Sequence, residues 1–254
     1  MSKAFQAVHR AVLAVVCCIV AGQVQVGAQD RIVTATVSIS RAGLKNPSKA
    51  AGSKLVDASN VAVWLVALDR AQAIVPVSSK SQNAPQLVQW HKTFEPHILI
   101  VPMGTMVEFP NKDPFFHNIF SLYDGRRFDL GLYESGSKRS VRFDRSGVSF
   151  LFCNIHAEMS AVVLSVETHY FALSDRDGKL TIHNVPDGRY QLNVWYERSS
   201  PEDLKRLTRV VTISDTSRNL GAIQLAEMPN FTPTHKNKYG LDYVPPPNTD
   251  YDRP

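Results

Sequence analysis

Val33, Ala35, Val37 and Ile39 alternate with Thr34, Thr36, Ser38 and Ser40. A two-residue period sends one set to each side of an extended chain, so this stretch is predicted to be a half-buried strand. Val61 to Leu68 is apolar on both faces and includes Trp64, which predicts a central strand between two layers. Residues 41–60 and 69–85 are loop-like. Short apolar runs then follow at 98–101, 105–109, 118–122, 141–143, 148–152 and 161–166, with turn signals at Pro102-Met103-Gly104 and Asp144 to Gly147. No long amphipathic helix is visible. Short strands punctuated by turns predict an all-β chain built as a β-sandwich.

A second series begins near His169. Asp177-Gly178 and Val185-Pro186-Asp187-Gly188 supply turns around an alternating strand, and 191–196, 209–213 and 219–225 complete the set. The expected division is a first sandwich over 29–167, a second over 168–228 and a tail over 229–254. The tail is rich in Pro, Asn, Tyr and Asp and lacks periodicity, so it reads as disordered or as an extended strap. All candidate chemistry precedes residue 160. A chain ending after Thr168 is therefore expected to keep its chemistry.

The N-terminus changes the picture of where the protein works. Lys3 and Arg10 precede the apolar run Ala11 to Ala21, and Val26-Gly27-Ala28 fits a small-residue cleavage site. This pattern predicts a signal peptide over 1–28, with an apolar run too short to span a bilayer. Cys17 and Cys18 lie inside that run. Val16 is a poor match to the small residue before a lipidated cysteine, so lipoprotein processing ranks below cleavage. The expected location is the periplasm or outside the cell, with no transmembrane segment. Loss of Lys3 and Arg10 lowers the formal charge from +5 by two, to +3. There is no dense basic tract, which argues against nucleic acid as a partner. Cys153 is then the one remaining cysteine, so no intrachain disulfide is possible. A free thiol in an oxidising compartment is liable to oxidation unless something holds it.

Cys153 opens the segment Cys153-Asn154-Ile155-His156-Ala157-Glu158-Met159, with spacing Cys-x2-His-x2-Met. His117 lies upstream in Asn111-Lys112-Asp113-Pro114-Phe115-Phe116-His117-Asn118. Each residue has an ordinary alternative: Met159 as core filling, His117 or His156 as a hydrogen-bonded histidine, Cys153 as a small buried hydrophobe. Together, two imidazoles, a thiolate and a thioether form the donor set of a blue-copper site. A closed structural zinc site would take four strong Cys or His ligands, and a thioether is a poor substitute. His91, His97, His169, His183 and His235 show no ligand spacing and read as ordinary residues. No nucleophile motif or phosphate loop is present, and the chain is expected not to be an enzyme.

The ligand loop, Asn111, Asp113, His117-Asn118, Phe94-Glu95-Pro96, Gly104 to Phe109, Gly131, Phe143 and Gly147 resemble the cupredoxin family, and the short loop is most similar to that of amicyanin. The resemblance implies a Greek-key β-sandwich holding one mononuclear type 1 copper. His117, Cys153 and His156 would bind in the plane, with Met159 axial. The backbone amide of Asn118 would hydrogen-bond the Cys153 sulfur. It also implies an electron carrier whose redox partners dock on an apolar patch near His156, made by Pro114, Phe115, Phe116, Ala157 and Met103. The second series resembles transthyretin-like (prealbumin-like) and carboxypeptidase-regulatory-like sandwiches, a class shared with carbohydrate-binding folds. Two alternatives stay open: a copper delivery or storage protein, and a carbohydrate or cell-wall module with a structural copper.

Overall fold

The computed structural model describes residues 31–41, 57–69, 84–122, 125–229, 231 and 235–243. The expected signal peptide, most of the loops expected at 41–60 and 69–85, and the last part of the tail lie outside the described residues. The first eight strands are β1 (Val33–Arg41), β2 (Ala62–Ala67), β3 (Val88–Trp90), β4 (Thr93–Glu95), β5 (Ile98–Pro102), β6 (Thr105–Pro110), β7 (His117–Ser121) and β8 (Phe128–Tyr133). There follow β9 (Lys138–Phe143), β10 (Gly147–Phe152), β11 (Ser160–Val166), β12 (Phe171–Leu173), β13 (Lys179–Ile182), β14 (Gly188–Trp195), β15 (Arg209–Ile213) and β16 (Asn219–Glu227). One helix, α1 (Pro201–Leu207), starts where the Ser200 hydroxyl accepts the Asp203 N–H. Among the described residues the structure is all-β apart from this single short helix, as expected.

The sheets stack in layers. A five-stranded sheet in the order β5-β11-β10-β7-β8 packs on the β6-β9 pair. Val107, Phe109, Ile119, Phe143, Leu151 and Val163 fill the space between them. The sheets β13-β1-β16 and β12-β2-β14-β15 enclose a second core that includes Val37, Leu65, Tyr190, Leu192 and Ile223. Leu164 and Val166 on the outer face of β11 meet Ala62, Trp64, Phe171 and Trp195, so the two sandwiches share a third core. A two-residue period explains the double use of each strand. In β2, Val63 and Leu65 point into one core while Ala62 and Trp64 point into the other. The prediction of a strand between two layers therefore holds for Val61 to Leu68.

The placement of the first two strands differs from expectation. β1 pairs antiparallel with β13 and parallel with β16, and β2 lies between β12 and β14. Both belong to the second sandwich, so a boundary at 167/168 does not separate the sandwiches. Local periodicity marks a strand and its buried face, but it carries no information about a partner far along the chain. The Asp177-Gly178 turn helps fix this arrangement. Gly178 has φ +76°, and a Cβ there would lie 2.1 Å from the Val37 carbonyl oxygen. The close approach lets the Gly178 carbonyl accept the Val37 N–H at 2.7 Å.

His97, read from the sequence as an ordinary residue, ties the sandwiches together just before β5. Its Nε2 lies 2.8 Å from Glu197 Oε2, beyond β14, and its Nδ1 lies 3.1 Å from the Ser160 carbonyl. Both partners are acceptors, and only the imidazolium can donate to both. The hydrogen bond to Glu197 raises the His97 pKa above its ordinary value, against burial and the neighbouring Arg198.

Two outcomes follow from this architecture. A chain truncated after Thr168 should fail to give a cooperative thermal transition by circular dichroism, because β1 and β2 lose every partner and Leu164 and Val166 are uncovered. A sharp transition would contradict the shared core. A group whose folded pKa is raised contributes stability that is complete below its unfolded value and lost as pH rises through the folded one. Glu197→Gln should therefore destabilise the protein by up to about 1 kcal/mol below about pH 6.5, the bridge being partly exposed. The difference from wild type should shrink as pH rises, measured by urea midpoints.

Candidate metal centre

Two strand ends and one loop build the centre. His117 is the first residue of β7. Cys153 directly follows β10, whose Phe152 is paired with Phe120 of β7. The chain then returns to β11 through a tight loop, in which the Met159 carbonyl accepts the Cys153 N–H and the His156 carbonyl accepts the Met159 N–H. These bonds hold His156 beside Cys153.

Three donor atoms converge. Cys153 Sγ lies 3.8 Å from His117 Nδ1 and 3.6 Å from His156 Nδ1, and the two nitrogens are 3.2 Å apart. Bonds of roughly 2.0 Å to nitrogen and roughly 2.3 Å to sulfur, opened to about 105–125° around one ion, would separate such donors by roughly 3.2–3.8 Å. The residues therefore fit a metal in nearly trigonal coordination, and a thiolate with two imidazoles suits copper. Cys153 and His117 are 0 % exposed and His156 is half-buried. Among the described residues this is the one group of three or more His, Cys, Asp or Glu side chains able to share an ion. Met159, the fourth residue predicted for the site, is fully buried in the same core as Cys153.

Asp113, matched by the resemblance but given no role from the sequence, braces a donor histidine. Its carboxylate, 2 % exposed, accepts from His117 Nε2 at 2.7 Å and from the backbone N–H groups of His91 and Lys92. With Nε2 carrying the proton, His117 Nδ1 keeps its lone pair free to face Cys153. Burial alone would raise the Asp113 pKa. The Lys92 N–H, His117 and the His91 N–H outweigh it and hold the carboxyl below the ordinary range. Asn111 shapes the loop by accepting the Asp113 N–H and donating to the carbonyls of Phe115 and Tyr133. A carboxylate four residues before a candidate ligand, in an Asn-x-Asp-Pro stretch, was the available signal.

The same burial keeps the donors neutral. It lowers the pKa of His117 against the pull of Asp113, and it lowers that of His156 with help from His117. It pushes the Cys153 thiol up, against backbone N–H groups of Asn118, Ile155 and His156 that point at the sulfur.

Around His156 the surface is largely apolar, with Lys92 Nζ 5.7 Å over the Phe115 ring and the exposed Glu158 nearby. Phe115 lies with its ring centroid 5.6 Å from that of His156 and 5.1 Å from that of His117, while Phe116 is 54 % exposed and Ile155 and Ala157 are also exposed. Met103 is not part of this patch. β5 runs parallel to β11 with Pro102 opposite Val166, so Met103 leaves the sheet at the end remote from Met159.

No protein-family model matches the chain, and no curated protein matches it. Solved structures do. A purple cupredoxin from Nitrosopumilus maritimus is 23 % identical, with a TM-score of 0.30, over 32 % of this chain and 99 % of that one. An oxidised amicyanin variant is 19 % identical, with a TM-score of 0.31, over 33 % of this chain and 82 % of the other. A Cu-containing nitrite reductase from Thermus scotoductus SA-01 is 26 % identical, with a TM-score of 0.33, over 41 % of this chain and 28 % of that one. The reductase corrects the expectation of a chain that is not an enzyme. A copper enzyme stands among the similar structures.

Replacing Asp113 by Asn should weaken copper binding about 10- to 100-fold, as loss of a carboxylate behind a ligating histidine typically does. Competition with a chelator of known affinity measures this, and unchanged affinity would contradict the role given to Asp113. Above about pH 6.5 the imidazoles are already neutral while the thiol keeps its proton, so a metal must displace one proton. Apparent copper affinity should rise about tenfold per pH unit between about pH 7 and 8. A flat profile would mean that Cys153 is not a ligand.

Proposed function

We propose that the protein is an exported cupredoxin-type electron carrier holding one mononuclear type 1 copper. His117, Cys153 and His156 are the strong ligands, with Met159 as the weak axial one. The observation that carries this reading is the convergence of Nδ1, Sγ and Nδ1 at trigonal spacing in a buried site. Copper, when bound, would supply a one-electron couple between its two oxidation states. The chain supplies rigidity. β7 and β10 fix His117 and Cys153, Asp113 fixes the His117 tautomer, and three backbone N–H groups face the sulfur. Donors held this way need little rearrangement when charge changes, which favours fast single-electron transfer. The apolar surface around His156 is where a redox partner would dock, since such encounters bury little area.

Copper delivery is the second reading. A delivery site needs ligands that can be exchanged, whereas two of these donors are fully buried and one is braced by a buried carboxylate. The structure of the site therefore favours electron transfer.

Copper-loaded, oxidised protein should be strongly coloured through thiolate-to-copper charge transfer. Cys153→Ser should abolish the colour. Met159→Gln should keep it and lower the reduction potential, because a harder oxygen donor favours the oxidised ion. Visible spectroscopy with metal analysis and protein-film voltammetry measures both. Stoichiometric zinc with no colour after copper loading would overturn the copper assignment. Electron exchange too slow to follow by stopped flow would favour delivery.

A further inference from the structure

Residues 235–243 lie against the Cys153 ligand, far from them in sequence. The Tyr243 hydroxyl donates to the Cys153 carbonyl at 2.6 Å. The Lys238 N–H donates to Asn154 Oδ1 at 3.0 Å. Lys238 Nζ reaches Asp129 Oδ2 at 2.8 Å, and the other oxygen of that carboxylate accepts from Asn118 Nδ2. The Asn118 backbone N–H is one of the three that face the Cys153 sulfur. The segment thus grips the ligand itself, the residue after it, and the residue that donates to its sulfur.

The grip is built rather than incidental. Asn237 Oδ1 accepts the N–H groups of Tyr239 and Leu241, and the Asn237 N–H returns to the Leu241 carbonyl. This self-bonded turn sets the spacing between Lys238 and Tyr243. The His235 ring stacks on Phe152 with centroids 3.9 Å apart and 22° between planes, and its Nδ1 lies 3.2 Å from the Tyr243 oxygen. Phe152 is the last residue of β10 and immediately precedes Cys153. Burial holds the Tyr243 phenol above its ordinary pKa, so it stays a donor.

We propose that residues 235–243 form a strap that positions the Cys153 thiolate, with Tyr243 and Lys238 as its positioning residues. This rests on the copper reading above and adds to it an element outside both sandwiches. The hydrogen bond from Tyr243 fixes the Cys153 peptide. The Lys238–Asp129–Asn118 chain fixes the amide that donates to the sulfur. Without them the Cys153 side chain keeps its neighbours but gains freedom to rotate, and its overlap with the metal changes. Charge-assisted bonds such as Lys238–Asp129 hold geometry better than neutral ones.

The test uses full-length wild type, Tyr243→Phe, Lys238→Met, Lys238→Arg and, as a control, Leu241→Ser, whose side chain is 64 % exposed. The first readout needs no copper: the rate at which iodoacetamide alkylates Cys153 in the metal-free protein. Tyr243→Phe and Lys238→Met should each raise it by up to about tenfold, the increase in local opening that loss of one such hydrogen bond allows. Lys238→Arg should restore the wild-type rate, and Leu241→Ser should leave it unchanged. The second readout is the charge-transfer band and reduction potential after copper loading, both of which should shift in Tyr243→Phe and Lys238→Met alone. Wild-type alkylation, band and potential in both variants, even with lowered melting temperature, would overturn the proposal. If wild type itself takes up no copper, the copper reading fails, and the alkylation rates still decide whether the strap holds Cys153.

Discussion

Antiparallel pairing of β7 with β10, Phe120 opposite Phe152, brings His117 and Cys153 together across 36 positions of sequence. Everything at the centre depends on that pairing staying in register, because a one-residue slip would turn either side chain to the opposite face. Register is secured by burying the sheet on both sides. Ile119, Leu151 and Val163 face one core, and Phe120, Phe152, Leu164 and Val166 are buried on the other side. Each fully buried large apolar side chain contributes roughly 1.5–3 kcal/mol. The second sandwich and the strap therefore act on the centre through the outer face of the same sheet.

Electrostatics adds a second constraint. The site collects two potential negative charges, the Cys153 thiolate and the Asp113 carboxylate, in surroundings with little water. A divalent copper would be balanced by them, and a monovalent one would leave one negative charge in excess. Backbone N–H groups from His91 and Lys92 to Asp113, and from Asn118, Ile155 and His156 to the sulfur, spread that excess over fixed dipoles. The protein thus provides neutral nitrogen donors and a stabilised Asp113 carboxylate before any ion arrives, with dipoles in place for the thiolate that forms when a metal displaces the thiol proton.

Much of this could be read from residue order. Alternation in Val33 to Ser40 and the doubly apolar Val61 to Leu68 marked strands correctly, and the Cys-x2-His-x2-Met spacing with His117 upstream marked the donors. What escaped was long-range. β1 finds β16 in parallel across most of the chain, and no local period encodes such a partner. Asp113 was matched to the family pattern but given no role, because its burial and its bond to His117 depend on neighbours that a one-dimensional reading does not supply. Tyr243 and Lys238 sit in a segment without periodicity, where only the folded chain shows that a hydroxyl meets the Cys153 carbonyl. Met103 was assigned to the wrong end because strand direction, not proximity in sequence, decides which turns share an end of a sheet.

The chain holds the donors at coordination spacing before any metal binds. Crystal structures of the metal-free, copper(I) and copper(II) forms at one pH test it most directly. The Sγ–Nδ1 separations of 3.8 and 3.6 Å and the Nδ1–Nδ1 separation of 3.2 Å should change only by about a few tenths of an ångström among the three. An imidazole or the Cys153 side chain swung out of the site in the metal-free form, and drawn in only when copper binds, would contradict it.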